Sequence, residues 1–193
     1  MPKIGLLAIQ GDFHEHIQAL DRLGVESREI RKPPQLDEVD GLIIPGGEST
    51  TIVQLIDIFG FRESLVEKIK NGMPVWGTCA GMIVIADKLK DHRPEPLHLM
   101  NIKVSRNAFG RQTDSFETDL DIKGIEGPPF HAIFIRAPVV TELQENVEVL
   151  ASVQDGRPVA VLQDNMLATA FHPELTDDTR VHELFVRMVE RFM

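Results

Sequence analysis

Met73-Pro74-Val75-Trp76-Gly77-Thr78-Cys79-Ala80-Gly81-Met82-Ile83-Val84-Ile85-Ala86 carries the reading on which the rest of the chain turns. An apolar run (Pro74, Val75, Trp76) stops at Gly77, and a second begins at Met82. Between them stands Cys79, the single cysteine of the sequence, with a glycine two positions to either side. That spacing predicts a nucleophile elbow, a sharp turn from a strand into a helix that lifts its central side chain off the sheet. The central backbone is strained there, at a typical cost of ~1–3 kcal/mol. Gly77 and Gly81 relieve the crowding because they lack Cβ. The turn also sets the sulfur at the start of the following helix, where the positive end of the dipole favours thiolate. A lone cysteine is otherwise most often a small buried hydrophobe, so the reading needs support from the flanking chain.

Upstream, residues 4–9 form a continuous apolar run, as expected of a strand buried on both faces. Gln10-Gly11-Asp12 turns the chain, with Asp12 an expected N-cap. Phe13, Ile17 and Leu20 then recur at helical spacing. His14 and His16 are read as surface or helix-end side chains, since positions two apart on a helix point to nearly opposite sides and cannot share an ion. Residues 25–30 and 41–44 are two further strands. The second ends in Pro45-Gly46-Gly47-Glu48-Ser49-Thr50, where paired glycines let backbone N–H groups approach a ligand and Ser49 or Thr50 can cap a helix. Such a loop is also an ordinary strand-to-helix turn, and it lacks the Gly-Lys-Ser/Thr of a phosphate cradle. Helical patterns follow at 52–59 and 62–70. Strands alternating with helices predict a doubly wound α/β sheet.

Downstream, residues 88–99 are polar and proline-broken, a connecting loop. Residues 102–105 read as a strand, and 115–122 alternate polar and apolar as an antiparallel strand with one wet face. Residues 131–138 form a strand ending in Arg136, and 147–163 a hairpin turned at Asp155-Gly156. Arg106 and Arg136 at strand ends are ordinarily solvated, yet each is placed to clamp a substrate carboxylate. Residues 166–171 are another buried strand, ending in His172-Pro173-Glu174. The final helix, about 178–192, carries the apolar stripe Val181, Leu184, Phe185, Met188, Val189, Phe192.

At 193 residues the chain is expected to form one domain, 1–193, with a substantial core. A net charge of −10 argues against a nucleic-acid footprint. One cysteine allows neither an internal disulfide nor a multi-cysteine zinc site, which fits a reducing cytoplasm. The first residues break their apolar run too early for a signal peptide, and no run approaches the ~20 residues of a membrane helix.

His172-Pro173-Glu174 supplies what Cys79 lacks. In an extended segment Glu174 projects to the same side as His172 and can orient its imidazole, with Pro173 holding the chain extended. Nucleophile, base and orienting carboxylate then follow in the order Cys79, His172, Glu174. Alternatively, His172 and Glu174 merely cap the last helix.

Gly77-Thr78-Cys79-Ala80-Gly81 together with His172-Pro173-Glu174 resembles the class I, triad-type glutamine amidotransferases. Gln10-Gly11, the Pro45–Thr51 loop, Arg106-Asn107 with Phe109-Gly110-Arg111-Gln112, Ser115-Phe116-Glu117 and Phe134-Ile135-Arg136-Ala137-Pro138 narrow the likeness. Over nearly the whole length they are similar to the family of glutaminase subunits of pyridoxal 5′-phosphate synthase. The resemblance implies a flavodoxin-like three-layer α/β sandwich, its central sheet mostly parallel with an added antiparallel portion. It implies hydrolysis of L-glutamine to glutamate and ammonia, with neither cofactor nor metal, and delivery of the ammonia to a TIM-barrel synthase subunit. By motif, Cys79 is the nucleophile, His172 the acid/base and Glu174 its orienter. Gly47, Glu48, Ser49, Arg106, Ile135 and Arg136 line the glutamine site, and the N–H groups of Gly47 and Ala80 form the oxyanion hole. His98 stands where such relatives usually carry glycine. Two competing readings are an amidotransferase subunit serving another acceptor, such as imidazole glycerol phosphate synthesis, and a non-catalytic regulatory protein that keeps the elbow.

Overall fold

The computed structural model describes residues 1–106 and 115–193. Asn107, Phe109, Gly110, Arg111 and Gln112 of the family likeness therefore lie outside the described residues. In chain order the elements are β1 (Ile4–Leu7), α1 (Phe13–Arg22), β2 (Ser27–Ile30), β3 (Gly41–Ile44), α2 (Ser49–Ile58), α3 (Phe61–Lys70), β4 (Val75–Thr78), α4 (Ala80–Ile85), β5 (Ala86–Leu89), β6 (Met100–Ser105), β7 (Ser115–Leu120), β8 (Phe130–Ile135), β9 (Val139–Leu143), β10 (Glu148–Ser152), β11 (Pro158–Gln163), β12 (Met166–Thr169) and α5 (Arg180–Phe192).

β1, β3, β4 and β12 are buried at every residue, as strands covered on both faces must be. Among the described residues they build a seven-stranded sheet in the order β10-β11-β12-β4-β3-β1-β2. Its β12-β4-β3-β1-β2 portion is parallel throughout, and β10 and β11 join antiparallel at one edge. Counted along the chain, the five parallel strands have the spatial order 2-1-3-4-5 of flavodoxin-like folds. Two smaller groups, β5-β6-β9 and the β7-β8 hairpin, supply the added strands. The expected sandwich is therefore present. No described helix is long and apolar enough to cross a membrane.

Four local expectations are corrected. α2 is capped by Glu48, not Ser49 or Thr50: its carboxylate accepts from Thr50 N at 3.1 Å and Thr51 N at 2.7 Å. Asp12 stands at the N-cap of α1 but makes no side-chain cap bond. Phe192 of the expected stripe, at the last residue of α5, is half exposed, whereas Val181, Phe185, Met188 and Val189 are buried. His16 is fully buried while His14 is exposed. The opposition of the two histidines holds, but α1 turns His16 inward, against α5.

Candidate active site

The elbow forms between β4 and α4. Cys79 has φ +49° and ψ −104°, a strained conformation for a residue with a side chain. A Cβ on Gly77 would lie 2.4 Å from Gly81 O, and one on Gly81 would lie 2.0 Å from Ile44 O. Both glycines are therefore required by close backbone approach. Cys79 N–H donates to Thr169 O at 2.8 Å, tying the elbow to β12.

That tie explains how the chain's last strand completes the site. β12 runs parallel to β4 with Thr169 opposite Thr78, so the residues just beyond β12 emerge beside the elbow. His172 N–H donates to Ile133 O at 2.8 Å, which anchors this segment to β8. His172 Nδ1 lies 2.6 Å from Glu174 Oε1. The contact is made through a 3₁₀ turn, Pro173–Leu175, not the extended segment expected. Proline fits the start of such a turn, and the turn folds Glu174 back onto the imidazole. The alternative of a cap is excluded, since α5 begins at Arg180 with Thr179 at its N-cap.

With Nδ1 bonded to Glu174, His172 shares one cavity with Cys79, which is near enough to act on the imidazole. Burial disfavours the imidazolium, but the bonds and negative charges of the Cys79 thiolate and Glu174 outweigh it and raise the His172 pKa to about 10. Burial lifts the Glu174 carboxyl above its usual range, partly offset by His172. Gly46 packs so closely on the ring that a Cβ there would sit 2.7 Å from His172 Cε1.

Cys79 and His172 open onto a cavity of about 560 Å³. Every residue expected at the glutamine site lines it: Gly47, Glu48, Ser49, Arg106, Ile135 and Arg136, together with Ala80. Cys79 Sγ lies 3.9 Å from Ile135 O, and Arg136 has φ +43°, a second strained residue at the rim. Arg106 Nη2 reaches Glu48 Oε1 at 3.3 Å, and its Nη1 donates to Arg93 O at 3.0 Å. Glu48 is thus engaged by the α2 N-terminus and by Arg106. Gly47, at φ +156°, is held by Gln10, whose Oε1 accepts from Glu48 N at 3.0 Å. His98 has φ +55°, a backbone glycine would adopt more readily, and lies outside the cavity lining.

Asp12 was missed as a site residue. It lines the cavity with Oδ2 3.9 Å from His172 Nδ1, and burial raises its carboxyl pKa while the charge of His172 opposes the rise. In sequence it reads only as a helix cap. Asp12, His172 and Glu174 bring one ligand atom each within 4.8 Å of one another, but His172 Nδ1 and Glu174 Oε1 are bonded to each other at 2.6 Å, which leaves no room for an ion between them.

A model of the SNO glutamine amidotransferase family matches residues 6–191. The chain is 53% identical over 189 residues to the pyridoxal 5′-phosphate synthase subunit PdxT of Thermosipho africanus, covering 98% of this chain and 100% of that one. It is 54% identical to the protein of the same name from Carboxydothermus hydrogenoformans, covering 97% of each. A crystal structure described as a glutamine amidotransferase superposes with a TM-score of 0.92 at 46% identity, covering 97% of this chain and 98% of that one. With nearly its whole length matched in this way, the chain belongs to the SNO glutamine amidotransferase family.

Proposed function

We propose that this glutamine amidotransferase is the glutaminase subunit of a pyridoxal 5′-phosphate synthase, cleaving L-glutamine with the triad Cys79, His172 and Glu174. The observation that carries the reading is the meeting, in one cavity, of an elbow cysteine with a buried imidazole braced by a carboxylate at 2.6 Å.

The Cys79 thiolate attacks the side-chain amide carbon of glutamine, and the carbonyl π pair moves to oxygen. The N–H groups of Gly47 and Ala80 receive that oxyanion, a donor of this kind being worth ~2.7–4 kcal/mol in the transition state. His172, with its pKa near 10, holds a proton at neutral pH. As the C–N bond breaks, it gives that proton to the nitrogen and ammonia leaves. Acylation itself prepares the next step. Once sulfur is a thioester its negative charge is gone, so the imidazole loses a main cause of its raised pKa. Neutral His172 then takes a proton from water, hydroxide adds to the thioester, and glutamate departs as the thiolate is restored. Arg106 and Arg136 line the same cavity, and one or the other neutralises the glutamine α-carboxylate in this reading.

Ammonia loses its nucleophilic lone pair when it is protonated in bulk water, so its release is best coupled to an acceptor. The partner is then a TIM-barrel synthase subunit in a cytoplasmic hetero-oligomer, and the chain is a single domain across 1–193. Ammonia release from glutamine, measured with and without the synthase subunit, tests both halves of this reading. Turnover is expected to be weak alone and to rise on adding the partner; equal rates would contradict the coupling. Cys79→Ala should abolish turnover, on the order of 10⁴-fold or more, with the fold intact. Normal ammonia release by that variant would remove Cys79 from the chemistry.

A further inference from the structure

Behind the proposed triad lies a set of buried polar groups that the chemistry above does not use. Glu174 has one carboxylate oxygen on His172 and a second, Oε2, that is buried without a hydrogen-bond partner. His16 Nε2 lies 3.6 Å from that oxygen and 3.2 Å from Thr78 Oγ1. The other His16 nitrogen, Nδ1, is 2.9 Å from His182 Nε2. His182 Nδ1 has no partner. Both histidines are fully buried, packed edge-on against Trp76 between α1, β4 and α5.

Two neutral arrangements fit these contacts. In one, His16 carries its hydrogen on Nδ1 and gives it to His182. His16 then turns a lone pair toward the Glu174 carboxylate, and His182 is left with a buried Nδ1–H that has no acceptor. In the other, His182 donates from Nε2 to His16 Nδ1. His16 then aims an Nε2–H between Thr78 Oγ1 and Glu174 Oε2, and only a ring lone pair of His182 goes unmet. A buried donor without an acceptor is the costlier defect, and a lone pair facing a carboxylate is repulsive where little water screens it. The second arrangement wins on both counts.

We propose that His16 is a positioning residue for the triad: held as the Nε2–H tautomer by His182, it turns that N–H toward the outer oxygen of Glu174 and keeps the carboxylate aimed at His172. The proposal rests on the triad reading. The distance of 3.6 Å makes this a charge–dipole contact rather than a full hydrogen bond, so its effect is on orientation. His16 is walled off from the glutamine cavity and touches no substrate. Its loss should therefore act on turnover, not on binding. Burial, then the charges of His182 and His172, hold its own pKa well below 6.5, which keeps it neutral at working pH.

Two measurements on the full chain test this. Nitrogen-15 histidine spectra of the unaltered protein should place the hydrogens of both His16 and His182 on Nε2; a His16 proton on Nδ1 would overturn the proposal without any variant. In ammonia-release assays with the synthase subunit present, His16→Leu should lower kcat roughly 3- to 10-fold, the worth of an ordinary polar contact rather than of a full charged hydrogen bond, with KM within about twofold. His16→Gln should recover most of the loss, because its side-chain amide can place an N–H near the position of Nε2. An unchanged kcat in His16→Leu, or an equal loss in both variants, would reduce His16 to a packing role. Failure of the triad itself reads out separately, as turnover surviving Cys79→Ala.

Discussion

The glycines around the site divide by what they touch, and the division predicts two different failures. A methyl at Gly81 would meet the carbonyl of Ile44, part of a sheet strand that cannot give way. Gly81→Ala is therefore expected to damage the fold itself. A methyl at Gly46 would press on His172 Cε1 at 2.7 Å and approach Asp12 Oδ2 at 3.3 Å. Those are side-chain atoms, and Gly46 has no positive φ to forbid alanine. Gly46→Ala should fold with a modest loss, ~1–3 kcal/mol from overpacking, while pushing the imidazole off its line to Cys79. A misplacement of about 1 Å in such a site costs roughly 10²-fold in rate. Steady-state kinetics beside thermal unfolding checks the pair: kcat should collapse in Gly46→Ala with a small shift in melting, and stability should collapse in Gly81→Ala. Near-normal kcat in Gly46→Ala would mean that the ring has more freedom than its 2.6 Å bond to Glu174 suggests.

The elements matter through one register. β4 and β12 must start level for Thr78 to face Thr169 and for Cys79 and His172 to emerge together. Asn165, in the turn before β12, sets that start. Its side-chain amide donates to Ile69 O at 2.8 Å and Met73 O at 2.7 Å, and its own carbonyl accepts from Val75 N at 2.9 Å. Asn165→Ala removes two bonds to main-chain carbonyls, one buried and one partly buried, an expected loss of about 1–3 kcal/mol, visible as a lower urea midpoint. An unchanged midpoint would show that the strands hold register without it. At this scale the sequence was legible where a motif was local. The elbow and His-Pro-Glu are decided within a few residues, and the strand–helix alternation gave the sheet. Contacts between distant segments were not. A histidine on an amphipathic helix looks the same whether it faces water or, as His16 does, a partner 166 positions away. Nor does spacing distinguish a cap by Ser49 from one by Glu48, whose longer side chain curls back to the same N–H groups.

Across the whole molecule, burying His16 and His182 has a consequence for acid stability that the net charge of −10 would hide. Burial, reinforced by the charge of Arg22, lowers the His182 pKa to about 3, and His16 is likewise held well below 6.5. In the unfolded chain both titrate near 6.5. Between those values the unfolded state binds more protons than the folded one, so acidification favours unfolding. The stability these groups leave intact above pH 6.5 is lost as pH falls toward 3. Protonation also reduces the self-repulsion of an acidic protein, which acts in the opposite direction, and His172, raised to about 10, and Glu174, with its raised pKa, oppose the loss as well. Comparing His182→Gln with the parent cancels these opposing effects to first order. The substitution retains a side-chain N–H for His16 and removes one titrating group. Urea unfolding at pH 7, 6, 5.5 and 5 stays above the usual range of the surface carboxylates Glu142, Asp155 and Asp178, whose ion pairs hold them lower still. His16 and His182 should each contribute to the parent a loss with a slope approaching about 1.4 kcal/mol per pH unit toward the acid end of that interval. The variant, whatever its stability at pH 7, should lose it more slowly by one such contribution. Parallel curves would mean that His182 binds its proton in the folded core as readily as in the unfolded chain, and that the pair between α1 and α5 is open to water.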